Sequence, residues 1–283
     1  LMVALAWTAL LSAPDGLLHV VFLDVGQGDA ILIVTPTGRT VLVDGGPDGQ
    51  QTCWLVDQHL PFWDRSIDAA VATHPHADHM AGLLEVVNRY RIGLVLESSI
   101  VTKSLPATEW ERRLAESDAM VVEATAGQEL ALGGGATITV LSPATETPLN
   151  TANAEDNNGL VLQLCYRDIS FLLAADIRAE QEASLVHRGA PLRANVLKVP
   201  HHGSSTSSSA LFLAAVDPDV AVISVGAGNA YGHPNPAVVE GLIAAGAAVL
   251  ATSDCGTIEF VTDGQSLSVR TEQGALKETA NIR

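Results

Sequence analysis

The stretch Thr73-His74-Pro75-His76-Ala77-Asp78-His79 narrows the possible folds of this chain more than any other feature. It follows an apolar run, Ala69 to Ala72, that reads as a strand, so its polar side chains begin at a strand end. His74 and His76 are two residues apart and in extended geometry face one point. Asp78 and His79 fall where a helix opens and face a second point beside the first. Three imidazoles and a carboxylate in so short a span suit transition-metal coordination. A polar surface loop has no need of that density.

Other strand ends carry matching groups. Asp44 closes the apolar run Thr40 to Val43 and precedes Gly45-Gly46. It either accepts a hydrogen bond from a ligating histidine or simply opens a turn. Asp176 follows Phe171 to Ala175 in the same manner, which suits a carboxylate delivered into a cleft. His201-His202-Gly203-Ser204 follows Val196 to Val199, and one of the two histidines is expected to ligate. His233, in Tyr231-Gly232-His233-Pro234, is a candidate substrate contact or proton donor, with an ordinary turn histidine as the alternative.

The order of elements sets the fold class. Short strands are expected at Val20 to Val25, Ala30 to Thr35 and Thr40 to Val43, then a helix from His79 to Tyr90. Thr108 with Glu111 resembles a capping box opening a second helix. The second half repeats this logic with strands at Leu160 to Tyr166, Ser170 to Ala174, Val196 to Val199, Asp219 to Val225 and Ala247 to Ala251. Helices are expected around Ala179 to Arg188 and from the Asn235-Pro236 cap to Gly246. Strands then helices, twice over, predict an α+β, four-layer αββα sandwich with internal pseudo-duplication.

With 283 residues, 47% hydrophobic and 17% charged, the chain can bury a large core and is not globally disordered. Cys53, Cys165 and Cys255 lie far apart, which excludes a disulfide scaffold or an all-cysteine zinc site. The net charge of −17 argues against non-specific coating of nucleic acid through a broad basic face. Leu1 to Leu11 is apolar, with no Lys or Arg before it, and as a helix would rise about 16 Å, roughly half a bilayer core. Residues 1–16 are therefore expected to be the tail end of a transmembrane helix and a linker, and 17–283 one domain.

Together Asp44, His74, His76, Asp78, His79, Asp176 and His202 resemble the metallo-β-lactamase superfamily, whose fold is the same sandwich. That resemblance implies one metal on His74 and His76, a second on Asp78, His79 and His202, and Asp176 as the bridge. Leu23-Asp24-Val25-Gly26-Gln27-Gly28-Asp29-Ala30, Lys198-Val199-Pro200-His201-His202-Gly203-Ser204 and Tyr231-Gly232-His233-Pro234-Asn235 are similar to motifs of the ComEC family of competence proteins. This implies a metal-dependent DNA nuclease domain at the extracytoplasmic face of the cell membrane. Its partners would be DNA, the membrane channel portion of the same parent protein and a competence DNA receptor.

One departure from the wider superfamily is Glu155-Asp156-Asn157-Asn158-Gly159, where a further histidine is common. The first site would be completed by Asn157, Asn158 or water. Fewer imidazoles and more oxygen donors favour two Mn²⁺ over Zn²⁺. In the resulting mechanism Asp78 orients the attacking water, His201 or His233 protonates the leaving oxygen, and Ser204 and Ser205 touch phosphate. A channel flanked by Arg39, Arg193 and Lys198 would favour DNA. The alternatives are a hydrolase of small esters on the same metals and a non-catalytic DNA-guiding module.

Overall fold

Alternating side chains along apolar strands leave two faces to cover, and the chain covers both. The computed structural model describes residues 14–98, 104–144 and 153–273. The first half supplies β1 (Leu18–Phe22), β2 (Ile31–Val34), β3 (Thr40–Val43), β4 (Ser66–Ala72), β5 (Arg91–Glu97) and β6 (Met120–Glu123). The second supplies β7 (Glu129–Gly133), β8 (Ala136–Ser142), β9 (Val161–Tyr166), β10 (Ile169–Leu173), β11 (Val196–Lys198), β12 (Val220–Ile223) and β13 (Ala248–Ala251). β14 (Ile258–Thr262) and β15 (Leu267–Thr271) return to the first sheet, whose order is β15-β14-β1-β2-β3-β4-β5-β6. The second sheet runs β13-β12-β11-β10-β9-β8-β7.

Both sheets are antiparallel meanders that turn parallel: β1 to β3 are antiparallel and β3 to β6 parallel, while β7 to β10 are antiparallel and β10 to β13 parallel. The αββα duplication expected from element order is thus present in the topology. The equivalent pairs β3/β4 and β10/β11 are where Asp44 and His74, and Asp176 and His202, leave the sheets.

The layers follow the alternation. Leu18, Val20 and Phe22 of β1 face Leu162, Leu164 and Phe171 across the central core. Phe260 bridges them, edge-on to Phe22 and to Phe171 at 5.8 Å from each. On the outer face of the first sheet, Leu32, Leu42 and Ala70 meet α1 (Gly49–His59), α2 (Ala77–Met80), α3 (Leu83–Arg89) and α4 (Leu105–Glu116) through Cys53, Met80, Leu83 and Trp110. After α5 (Ala154–Asn157), the outer face of the second sheet is covered by α6 (Ala179–His187), α7 (Ala210–Val216) and α8 (Pro236–Ala244), and α9 (Thr252–Cys255) follows β13.

Some boundaries differ from the expected ones. The single helix read from His79 to Tyr90 is broken into α2 and α3 at Gly82, which lies against the Gly45-Gly46 turn. A Cβ on Gly82 would stand 1.7 Å from the Gly45 carbonyl oxygen, so only glycine permits this approach. Helix α4 starts before the Thr108-Glu111 pair, because Ser104 caps it by accepting from the Ala107 amide at 3.3 Å. Residues 1–13, including the apolar run read as a membrane tail, lie outside the described residues. Among the described residues no helix is long and apolar enough to cross a membrane.

Candidate metal centre

The site is assembled where strands end. Asp44 leaves β3 with φ 59°, in the left-handed region that Asp tolerates better than most residues. Its carboxylate accepts from the Thr73 amide at 2.8 Å and the Thr73 hydroxyl at 2.7 Å, tying the ends of β3 and β4 together. It also lies 2.8 Å from His79 Nδ1. That nitrogen therefore carries the proton, and Nε2 is turned to the centre.

His202 is oriented by the same logic. His201 and His202 take φ 51° and 52°, a left-handed pair costing roughly 1–2 kcal/mol per residue. The turn drives the His202 ring inward, where Nδ1 donates to the Ser224 carbonyl at 2.8 Å. Its Nε2 lies 3.2 Å from His79 Nε2, 3.3 Å from Asp176 Oδ2 and 3.4 Å from Asp78 Oδ2. With both Nδ1 atoms engaged as donors, two Nε2 atoms and two carboxylates converge on one point.

A second cluster lies beside it. His74 Nε2 is buried without a hydrogen-bond partner and stands 3.8 Å from Asp176 Oδ2. His76 Nδ1 lies 3.3 Å from Asp156 Oδ1, and its Nε2 3.2 Å from Glu155 Oε2. Donor atoms of His74, His76 and Asp156 fall within 4.8 Å of one another, as do those of Asp29, His79, Asp176 and His202. The Asp176 Oδ2 atom faces both clusters, at 3.4 Å from His79 Nε2. Buried atoms left without hydrogen bonds, His74 Nε2, Asp156 Oδ1 and Asp176 Oδ1 among them, are what a pair of divalent cations would satisfy. The donor set fits them.

The electrostatics agree. Burial alone would push the Asp176 carboxyl up, but the charges of His202, His79 and Lys198 outweigh it and hold it well below the usual carboxylate range. Burial likewise opposes charge on His202, yet Asp176 and Asp78 push that imidazole up to about 9. His79 is raised in the same way by Asp176 and Asp44, against burial. Protons thus stand in for cations here, and cation binding displaces them.

Lys198 and Asp29 lie at the floor of the site, a placement the sequence reading missed. Lys198 is only 1% exposed, paired with the Asp29 carboxylate, 3.5 Å from Asp176 Oδ1, and donates to the Ala175 carbonyl at 3.0 Å. It is a fixed cation at the floor of the site and not part of a DNA channel rim. The signal was a lysine inside an apolar strand, which has to be paired if it is buried. Arg39 precedes β3 and Arg193 precedes β11, at the strand ends opposite the histidines, and Arg193 pairs there with Asp217. A channel flanked by Arg39, Arg193 and Lys198, the arrangement that would have favoured DNA, is therefore not formed at the site.

The remaining candidates are distributed around the centre. Asn157 and Asn158 are buried beside it, but Asn157 Oδ1 accepts from the Arg178 amide at 3.1 Å and Asn158 Nδ2 donates to Ala154 at 2.9 Å. In the Glu155 to Gly159 segment both Glu155 and Asp156 reach His76, and it is the buried Asp156, held from behind by Arg178 at 2.5 Å, that joins the cluster with His74. The Ser204 hydroxyl is buried against Thr206 at 3.0 Å, whereas Ser205 is exposed. His201 meets the Thr206 hydroxyl at 3.2 Å and stacks edge-on to His233, with ring centres 5.8 Å apart. Burial lowers both of these imidazoles, so the free protein carries them neutral at pH 7.

Asp44 touches the metal centre through His79 and Thr73. Asp44→Asn keeps a carbonyl acceptor but loses the charge that orients His79, and is expected to lower cation affinity or turnover about 10–100-fold. Calorimetric titration with Mn²⁺ checks this, and a parental affinity with parental turnover would rule the role out.

Comparison with known proteins agrees with this geometry. Residues 23–227 match the model of the metallo-β-lactamase superfamily. The chain is 28% identical over 255 residues to ComE operon protein 3 of Bacillus subtilis, covering 84% of this chain and 32% of that protein. It is 30% identical over 251 residues to the competence protein ComA of Neisseria gonorrhoeae, covering 88% and 33%. The chain thus spans about a third of the length of these curated relatives. In fold it is similar to the metallo-β-lactamase fold protein YhfI of Bacillus subtilis, with a TM-score of 0.57 at 11% identity, covering 86% of this chain and 99% of that one. Strand-end ligands, sandwich topology and a matched stretch from Leu23 to Ala227 lead to one conclusion: the chain belongs to the metallo-β-lactamase superfamily.

Proposed function

We propose that this metal-dependent hydrolase is a nuclease, the phosphodiester-cleaving domain of a membrane DNA-import protein, working on two divalent cations with Mn²⁺ preferred over Zn²⁺. The observation that carries the reading is the pair of donor clusters sharing Asp176 Oδ2, one with two imidazoles and Asp156, the other with two imidazoles and Asp78 beside them. Two cations, when bound, supply Lewis acidity toward both the attacking and leaving oxygens of a displacement. The number of carboxylates among the donors supports Mn²⁺.

The chain's own residues do the rest. Asp78, with its side chain 30% exposed at the mouth, orients the attacking water. Its backbone carbonyl receives the Asp29 amide at 3.2 Å, which fixes its height above the floor. His201 and His233 contact the leaving side, and the exposed Ser205 reaches phosphate. DNA as substrate is supported by the relatives' names as competence proteins, and the parent channel, a DNA receptor and the extracytoplasmic face come with that reading.

The test is digestion of labelled single- and double-stranded DNA across a series of divalent cations. Cleavage with Mn²⁺ above that with Zn²⁺ is expected. A chain that holds two cations yet cuts neither substrate, while hydrolysing a small phosphodiester or lactone, would replace the nuclease reading with the small-ester one.

A further inference from the structure

We infer that Tyr231 and His233 form a stacking platform for an unpaired nucleobase at the mouth of the metal centre, gripping single-stranded DNA by its bases. The inference rests on the nuclease reading of the same site and names what that site selects.

Tyr231 is 70% exposed, so its outer ring face is open to a ligand. Its ring lies 5.7 Å from that of His233 with 23° between the planes, an offset stack. The His233 ring in turn lies 5.8 Å from that of His201, the neighbour of His202. Aromatic surface thus runs outward in steps from the cation donors to solvent.

The platform is held rigidly. Asn229 Oδ1 accepts from the Tyr231 and His233 amides at 3.1 Å each, and Asn229 Nδ2 donates to the Gly226 carbonyl at 3.0 Å and the His233 carbonyl at 2.6 Å. Pro234 packs on Gly203, where a Cβ would come within 2.8 Å of its ring, and the Asn235 amide donates to the Gly203 carbonyl at 2.8 Å. A ligand seated on this loop meets a surface already ordered, which keeps the entropic cost of binding low.

Charge points the same way. The chain carries −17, Arg39 and Arg193 lie at the far strand ends, and Arg178 is committed to Asp156. Phosphate neutralisation by side chains is a weak source of affinity here, whereas stacking is indifferent to net charge and open to every base. A duplex hides its base faces, so the platform favours single strands.

The test is fluorescence anisotropy of the full chain with labelled, cleavage-resistant phosphorothioate oligonucleotides in the presence of Mn²⁺. A normal single strand is expected to bind tighter than an abasic strand of equal length, with a shallow salt dependence. Tyr231→Ala is expected to weaken the normal strand about tenfold or more and leave the abasic strand unchanged, while Tyr231→Phe restores binding. Equal binding of normal and abasic strands, no binding of either, or parental binding by Tyr231→Ala would each overturn the inference. A chain that cuts DNA while Tyr231→Ala binds like the parent keeps the nuclease reading and loses the platform. One that binds bases through Tyr231 but cuts nothing keeps the platform and loses the nuclease reading.

Discussion

Asp176→Asn is expected to abolish paired cation binding and reduce hydrolytic turnover, DNA cleavage in the proposed reading, by orders of magnitude while leaving the chain folded. The Asp176 Oδ2 atom lies 3.3 Å from His202 Nε2, 3.4 Å from His79 Nε2 and 3.8 Å from His74 Nε2. No other carboxylate oxygen of the described residues faces three imidazoles in this way. Asparagine keeps the shape but offers one neutral oxygen and an amide that repels cations. Elemental analysis after Mn²⁺ loading is expected to fall from two ions per chain to one or none. The thermal transition of the cation-free chain should fall, since His79, His202 and Lys198 lose a shared buried counter-ion, while circular dichroism below the transition should remain that of a folded chain. Two ions and parental turnover in this variant would show that Asp176 does not bridge.

Lys198→Met should act on stability first. The ammonium is buried between Asp29 and Asp176, and burial by itself would lower its pKa, yet these carboxylates raise it above the usual lysine range. Removing one partner of a buried ion pair leaves an uncompensated charge and costs about 3–5 kcal/mol. Urea denaturation should show a lower midpoint with an unchanged slope. Adding Asp29→Asn to Lys198→Met removes the stranded charge and is expected to recover more than half of the loss, because the two sites are coupled. A Lys198→Met chain as stable as the parent would mean that water already reaches this pair.

Most of the donor set was legible in the sequence because each donor sits at the end of an apolar strand, and a strand end is a local signal. His74, His76, Asp78, His79, Asp176 and His202, with Asp44 behind them, meet at one seam for that reason. Asp29 and Lys198 were hidden by the opposite circumstance. Each is interpretable only once the other is in place, and 169 positions of chain separate them. Asp156 was overlooked beside Asn157 and Asn158 because a helical turn of polar residues does not reveal which side chain points inward. Whether Arg39 and Arg193 flank the site was not legible either, since strand direction decides it and carries both to the other end. The break at Gly82 was likewise beyond periodicity, since it depends on how closely a distant turn approaches.

The way the two sheets share the centre has a consequence for the making of the protein. Asp44, His74, His76, Asp78 and His79 belong to the first layer, and Asp156, Asp176 and His202 to the second. A chain whose layers are not docked owns every donor yet has no place where they meet. Reactivity therefore requires that the two layers be docked. A hydrolase built this way has no complete centre until both layers are in place.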